Sequence, residues 1–239
     1  RLRRSARHLI RTARNKCKRL LAREKSIGKY ERKTIIESGT NLDAMMRSRG
    51  LVDIQQYEPS ILVSLKYSTS DNILSEDMYG SLKKAYVLPQ VAKMLKRANM
   101  ELHTLHPGYA LCIYDAARPL SIQQKLWDKV KGTPMEKYVA DPSRLSLHNF
   151  GAAIDLTIVD DKGVPLDMGT EFDELSPESE PQLERKMLKE GRLQINQVRN
   201  RMLLRKVMKH GGFAPIKDEW WHFTAFGLTK AKWRHSVIH

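Results

Sequence analysis

The sequence has few cysteines and no long apolar run, and each shortage excludes a class of protein. Two cysteines among 239 residues, Cys17 and Cys112, are too few for a disulfide framework and lack the paired spacing of a thiolate zinc site. No window approaches the roughly 20 uninterrupted apolar residues that a membrane-spanning helix needs, so we expect no integral membrane protein. Apolar residues at 41% and charged residues at 29% are typical of a globular protein.

Acidic residues are scarce at the amino-terminal end, which holds most of the positive charge. Fourteen Lys or Arg and only two Glu fall in residues 1–35, so this segment carries +12 of the formal net charge of +15. A domain that reads DNA or RNA keeps its basic footprint in its folded body. Because residues 36–239 carry only +3, we expect no nucleic-acid partner for the body of the protein.

The basic segment has the pattern of a cationic amphipathic helix. Its apolar residues recur at helical spacing; they are Leu2, Ala6, Leu9, Ile10, Ala13, Cys17, Leu20 and Leu21. The apolar stripe has three candidate partners: the rest of the domain or a second copy, an anionic membrane surface contacted by residues 1–25, or nucleic acid. The chain begins with Arg, so we expect a processed or truncated product, and both the bacterial periplasm and the cytoplasm stay open.

Helical and strand patterns mix beyond residue 50 without strict alternation, which favours an α+β fold with helices packed on a mostly antiparallel sheet. Ser121 is predicted to cap a helix, and the bulky run 219–223 is placed on a strand or the turn entering one. We predict a basic helical extension over residues 1–50 and a folded domain over 51–239. The predicted helices are 41–49, 89–99, 121–130 and 195–207, and the predicted strands are 61–67, 109–114 and 152–159.

A first candidate site lies where a histidine precedes a buried strand. His148 falls in a turn, and Asp155 lies seven positions later within an apolar strand. A carboxylate at the heart of such a strand is costly unless a cation or several donors stabilise it. Zinc accepts histidine nitrogen and aspartate oxygen, so it would supply that cation. Backbone donors remain the alternative explanation for Asp155.

A second candidate site combines a carboxylate and a histidine under aromatic residues. Glu219 comes three residues before His222, with two tryptophans between them. A catalytic zinc site needs about three protein ligands, an open position for water and a nearby base. His148, Asp155 and His222 would supply the ligands, and Glu219 would be the base.

A third motif ends the strand predicted at 109–114. Arg118 is followed by a proline and preceded by Asp115, which would orient the guanidinium. Amide hydrolysis develops negative charge on the carbonyl oxygen, and a preorganised guanidinium is suited to stabilise it. A structural ion pair between these two residues is the alternative.

Four motifs follow one another along the chain: Asp115-Ala116-Ala117-Arg118-Pro119, Ser146-x-His148-x-x-Gly151-x-Ala153-Ile154-Asp155-Leu156-Thr157, Met168-Gly169-Thr170-x-Phe172-Asp173 and Glu219-Trp220-Trp221-His222. In this order they resemble the motifs of the D-alanyl-D-alanine dipeptidases, the vancomycin-resistance type of zinc peptidase. The resemblance spans roughly residues 52–226. It implies the hedgehog/DD-peptidase fold, shared with cell-wall D,D-carboxypeptidases, and makes 51–239 a zinc dipeptidase domain.

The resemblance also implies a role for each matching residue. The ligands of one Zn²⁺ per chain would be His148, Asp155 and His222. Glu219 would be the acid/base, and Arg118 would hold the oxyanion. Ser146 and Asp173 would recognise the amino terminus of the substrate, and Asp173 offers the counter-charge that an ammonium requires. The implied reaction is hydrolysis of D-alanyl-D-alanine to two D-alanines.

The chain departs from the family pattern in two places. Residues 1–50 have no counterpart in the minimal family domain, and Ala116-Ala117 is smaller than the Gly-aromatic pair expected before the arginine. Two rival functions stay open. One is a D,D- or L,D-carboxypeptidase acting on longer wall peptides, and the other is a catalytically idle zinc module used for binding.

Overall fold

The computed structural model describes residues 42–239. The amphipathic helix predicted at the amino-terminal end and its candidate partners lie outside the described residues, so they stay predictions. Residues 42–50, which the sequence analysis placed with the extension, belong to the same unit as the rest of the described chain. Met46 in this stretch is fully buried.

The strands of residues 42–239 form a central five-stranded sheet and a separate two-stranded pair. In chain order they are β1 (Val52–Asp53), β2 (Leu62–Val63), β3 (Tyr86–Val87), β4 (Ala110–Asp115), β5 (Ala153–Val159), β6 (Ala214–Pro215) and β7 (His222–Thr224). The order in the main sheet is β2-β4-β5-β7-β6, in which β2 pairs parallel to β4 and the other pairs are antiparallel. Strands β1 and β3 form a separate antiparallel pair. The mostly antiparallel sheet confirms the predicted α+β class.

Helices pack on this sheet and connect its strands. They are α1 (42–48), α2 (Ile54–Tyr57), α3 (Pro89–Leu105), α4 (Leu120–Val130), α5 (Glu184–Lys189), α6 (Ile195–Gly211) and α7 (Leu228–Arg234). Helices α3 and α6 approach closely at Gly211, where a Cβ atom would lie 2.7 Å from the Met94 carbonyl oxygen. Neither these helices nor the others within residues 42–239 combine the length and the apolar composition needed to cross a membrane.

Three local predictions need correction. Ser121 does not cap α4, because that helix already begins at Leu120 and its N-cap position is Pro119, which offers no side-chain acceptor. Helix α3 runs on to Leu105, beyond the predicted end at residue 99, because Asn99 is buried and its amide bonds the Leu111 N–H and the Ser60 hydroxyl. The predicted strand 61–67 shortens to β2 and continues as a 3₁₀ turn.

The core reaches both faces of the central strand. All seven residues of β5 are buried, including the polar Asp155 and Thr157. Cys112 on β4 is 6% exposed, and burial raises the pKa of its thiol to about 11, as expected for an inert cysteine. The buried position of Asp155 on the most enclosed strand is the feature that positions the functional site.

Candidate active site

The sheet register places three ionisable side chains in one row across the strands. Asp115 on β4 pairs with Asp155 on β5, and Asp155 pairs in turn with His222 on β7. Residues directly opposite on antiparallel strands project on the same face of a sheet, within reach of one another. Residues that are separated by up to 107 positions in the sequence therefore meet through backbone pairing.

His148 reaches this row from a 3₁₀ helix, Leu147–Phe150, that precedes β5. Ser146 begins the helix with a reciprocal cap: its hydroxyl accepts the His148 N–H, and its own N–H bonds the Asn149 side chain at 2.8 Å. Gly151 ends the helix at φ +65°, and a Cβ there would lie 2.8 Å from a Leu51 methyl. The left-handed backbone conformation favours glycine at this position.

The tautomer of His148 follows from its hydrogen bond to the main chain. Its Nδ1 lies 2.7 Å from the Ala116 carbonyl oxygen. A carbonyl oxygen can only accept, so Nδ1 carries the proton and donates. The Nε2 atom is the ring nitrogen that the main chain leaves free of contact, and it faces the carboxylate of Asp155, whose Oδ2 is 3.3 Å away. Such a second contact orients a metal-binding imidazole in many proteins.

The three predicted ligands converge. Nδ1 of His222 lies 2.9 Å from Oδ1 of Asp155 and 3.2 Å from Nε2 of His148. The candidate ligand atoms of all three residues lie within 4.8 Å of one another. Burial alone would raise the pKa of Asp155, but the adjacent imidazoles hold it well below its usual range. Two imidazole nitrogens around an ionised carboxylate fit a tetrahedral divalent metal such as zinc.

Glu219 lies beside this cluster. Its Oε2 is 3.8 Å from Nδ1 of His222, and its side chain is 12% exposed. Burial raises the pKa of the Glu219 carboxyl well above its ordinary value, and the nearby charges of Asp155 and Asp173 raise it further. A raised pKa makes the carboxylate a stronger base toward a proton donor in the cavity.

Arg118 is locked by acceptors on several sides. Its Nε donates to Asp115 at 2.7 Å, its Nη1 to Gln123 at 2.9 Å and its Nη2 to Asp155 at 3.2 Å. The predicted contact from Asp115 is therefore present, and Tyr79 in turn donates to Asp115 at 2.7 Å. Arg118 forms this ion pair and also lines the cavity, as His148 and Glu219 do.

Ser146 and Asp173 complete the cavity, which has a volume of about 320 Å³. Asp173 adopts φ +61°, and its Oδ1 accepts a hydrogen bond from the Tyr67 hydroxyl at 3.2 Å. Its Oδ2 is buried and has no hydrogen-bond partner among the described residues. Burial raises the pKa of Asp173 to about 7. A buried acceptor without a partner in a cavity of this kind is suited to a cationic ligand group.

All seven residues singled out from the sequence line this one cavity. They are Arg118, Ser146, His148, Asp155, Asp173, Glu219 and His222. Sequence reasoning missed Tyr67, Gln123 and Tyr138, which line it as well. These three belong to none of the four motifs, and their chemistry is visible only through their contacts, so no spacing signal could have found them.

The sequence matches that of a known protein family. The model of a peptidase family, described as D-Ala-D-Ala dipeptidase, matches residues 47–236. The matched stretch includes every residue of the candidate site.

Individual relatives show the same similarity. The D-alanyl-D-alanine dipeptidase of Escherichia coli K12 is 36% identical over 72% of this chain and 83% of its own length. A protein of the same name from Synechocystis is 33% identical over 66% of this chain and 76% of its own length. Another from Enterococcus faecalis is 28% identical over 66% of this chain and 82% of its own length.

Proposed function

The chain belongs to the D-Ala-D-Ala dipeptidase family of peptidases, and we propose that it hydrolyses free D-alanyl-D-alanine to two D-alanines with the aid of one bound zinc ion. One observation carries the proposal most directly. Three residues that could hold a metal ion, a carboxyl group with a raised pKa and a second carboxyl group with one unpartnered oxygen share a single cavity of about 320 Å³.

His148, Asp155 and His222 would hold the metal, and the ligand chemistry supports zinc. The set consists of two imidazoles and one carboxylate within 4.8 Å, which is a usual donor set for catalytic zinc. When bound, zinc supplies Lewis acidity that polarises the substrate carbonyl and lowers the pKa of a water toward about 7. The second contact from His148 to the Ala116 carbonyl keeps its Nε2 available for this role.

Glu219 would move the proton. It accepts one proton from the attacking water as the water oxygen bonds to the carbonyl carbon, and it returns that proton to the leaving amine as the C–N bond breaks. Its raised pKa supports this role, because a carboxylate whose pKa lies above its ordinary value is a stronger base toward the water. Atoms balance without a covalent bond between the enzyme and the substrate.

Arg118 would stabilise the negative charge that develops on the carbonyl oxygen. Its contacts to Asp115, Gln123 and Asp155 fix the guanidinium before substrate arrives. A preorganised cation in a site that excludes most water stabilises a developing oxyanion without a cost for reorientation.

Asp173 and Ser146 would recognise the free amino terminus of the dipeptide. The unpartnered Oδ2 of Asp173 offers the acceptor that an ammonium needs, and burial strengthens such a charge-assisted hydrogen bond. A cavity of about 320 Å³ lies at the lower end of the roughly 300–1,000 Å³ range of ligand sites. Both features favour a dipeptide over a longer chain.

Metal removal and a set of three substrates test the proposal. The purified protein should contain about one zinc per chain. It should hydrolyse D-Ala-D-Ala, and it should act at least tenfold less on the N-acetylated dipeptide and on a pentapeptide stem, a loss on the order of one charged hydrogen bond. Chelation should abolish turnover, and added zinc should restore it. Hydrolysis of the stem but not of the dipeptide would favour a carboxypeptidase, and tight zinc without hydrolysis would favour a binding module.

A further inference from the structure

A segment with little regular structure covers one side of the cavity. We call residues 131–145, between α4 and the 3₁₀ helix that carries His148, the strap. It contains a single 3₁₀ turn, Glu136–Tyr138, and contributes Tyr138, Val139 and Ala140 to the cavity wall. Its own hydrogen bonds are mostly local turns, so its position depends on contacts made from other parts of the chain.

Two side chains hold the strap from outside it. Gln123 on α4 donates to the Ala140 carbonyl oxygen at 2.8 Å. Glu180 accepts hydrogen bonds from the Tyr138 hydroxyl at 2.6 Å and from Lys137 at 2.9 Å. Within residues 42–239, Glu180 makes all the side-chain hydrogen bonds that join the strap to the 173–183 segment, which supplies Asp173 and Leu175 to the same cavity.

Glu180 is itself firmly held. It is 4% exposed, and its other oxygen accepts a hydrogen bond from Gln182 at 2.8 Å. Its segment is tied by backbone hydrogen bonds to the stretch that carries Glu219, since the Ser179 carbonyl accepts the Trp220 N–H at 3.1 Å. Although burial opposes ionisation, the donors from Tyr138 and Lys137 lower the pKa of Glu180, so it is a carboxylate at neutral pH.

The strap also lines a second cavity. A second cavity of about 630 Å³ lies against the strap, and it shares Val139 and Ala140 with the candidate site. Apart from Trp127, the residues that line the second cavity all belong to the strap. The strap therefore forms a wall of both cavities, and a displacement away from Glu180 would change the wall of the candidate site.

We propose that the Tyr138–Glu180 hydrogen bond is a specificity-determining contact, which holds the strap closed and so limits the site to dipeptides. This inference rests on the proposed function, because it assumes that Asp173 binds the substrate's amino terminus. A peptide with one more residue extends beyond Asp173 and needs room that the closed cavity lacks. A displaced strap would make that room, because Tyr138, Val139 and Ala140 form part of the cavity wall.

The test compares two substrates in five proteins. The wild type and the variants Tyr138→Phe, Glu180→Ala, Glu180→Gln and Lys137→Met would each be assayed with D-Ala-D-Ala and with tri-D-alanine. Y138F removes only the donor, and E180A removes the acceptor. E180Q keeps an oxygen that accepts the tyrosine hydroxyl. K137M is the matched control, because it removes the other partner of Glu180 from a side chain that is 62% exposed.

We expect Y138F and E180A to reduce the ratio of kcat/KM for dipeptide over tripeptide by about tenfold, the scale of one hydrogen bond to a charged group. The change should come mainly from a lower KM for the tripeptide. E180Q should retain most of the wild-type ratio, and K137M should shift it less than about twofold, as for an exposed ion pair. Amide hydrogen exchange in residues 131–145 should rise in Y138F and E180A alone.

The outcomes separate this inference from the proposed function. Suppose that the wild type hydrolyses the dipeptide, and that Y138F and E180A change neither the kcat/KM ratio of dipeptide over tripeptide nor the amide hydrogen exchange of the strap. This result overturns the inference but leaves the proposed function standing. The inference is also overturned if K137M changes the kcat/KM ratio as much as E180A does. A wild type that loads zinc but fails to hydrolyse the dipeptide overturns the proposed function, and this inference with it.

Discussion

The two sides of the cavity are built differently. We call the side formed by the proposed metal ligands His148, Asp155 and His222 the metal side; it stands on paired strands and on a capped 3₁₀ helix, with backbone hydrogen bonds fixing each position. We call the strap and the 173–183 segment, for which substrate recognition is proposed, the recognition side; only short helical turns occur there, and side-chain hydrogen bonds such as Tyr138–Glu180 join its two parts.

The difference follows from what each side must achieve. A metal tolerates ligand displacements of only a few tenths of an ångström, about ±0.2 Å, so its ligands gain from a rigid sheet. Substrate selection instead depends on the shape of a wall, and loops vary in shape without disturbing the sheet. We therefore expect changes on the metal side to affect turnover itself, and changes on the recognition side to affect KM and substrate choice.

The largest effect should come from Glu219, which lies beside the metal side. Glu219→Gln should lower kcat by about 10² to 10⁴-fold, because a side-chain amide cannot accept and return the proton. Steady-state kinetics on D-Ala-D-Ala and metal analysis of the same sample would measure this. Asp218→Asn is a matched control, since the neighbouring carboxylate faces Gln182 instead of the cavity. Unchanged turnover in zinc-loaded E219Q would contradict the proposed base and weaken the contrast between the two sides.

A smaller effect should come from Asp173 on the recognition side. Asp173→Asn should raise KM for D-Ala-D-Ala by about 10- to 100-fold, because it removes the charge from a buried hydrogen bond to the ammonium. Metal content should stay at the wild-type level. Glu171→Gln, an exposed change in the same loop, serves as control. Loss of zinc in D173N would show that metal binding depends on the recognition side as well.

The smallest effect should be a pH dependence that belongs to the recognition side. Burial raises the pKa of Asp173 to about 7, with Asp155 raising it further and Arg118 and Tyr67 opposing the shift. Below that pH the carboxyl is neutral and cannot pair with an ammonium, so KM should fall by up to about tenfold from pH 5 to 7. A cation bound in the cavity would lower the pKa of Asp173 and so move this change in KM to lower pH.

The KM profile has an upper limit and a control. Above about pH 8 the dipeptide's own amine loses its proton, so KM should rise again. D173N should lack the acid-side change in KM, whereas Lys137→Met should keep it. An unaltered profile in D173N would assign the acid-side change to another group.

Much of the site was predictable because its residues lie in compact motifs. His148 and Asp155 fall within eight consecutive residues, and Glu219 and His222 within four. A histidine before an apolar strand that contains an aspartate is a local pattern that indicates a candidate metal site. The α+β class was also predictable, since strand and helix periodicities are local properties. Helix ends were less predictable, as Ser121 and Asn99 show, because tertiary contacts decided their roles.

Other features have no local signal. Tyr138 and Glu180 are 42 positions apart, and neither belongs to a motif. The raised pKa values of Asp173 and Glu219 arise from burial among neighbours that come from distant parts of the chain.

The sequence alone determined which side chains are available and which of them sit on strands, because residue type and short-range periodicity are written in order along the chain. Tertiary structure alone decided that His148 and His222, 74 positions apart, come within 3.2 Å, that Nδ1 of His148 donates to the Ala116 carbonyl, and that Glu180 ties the strap. Distances and protonation depend on strand register and on burial, and both are set by contacts between residues far apart in sequence.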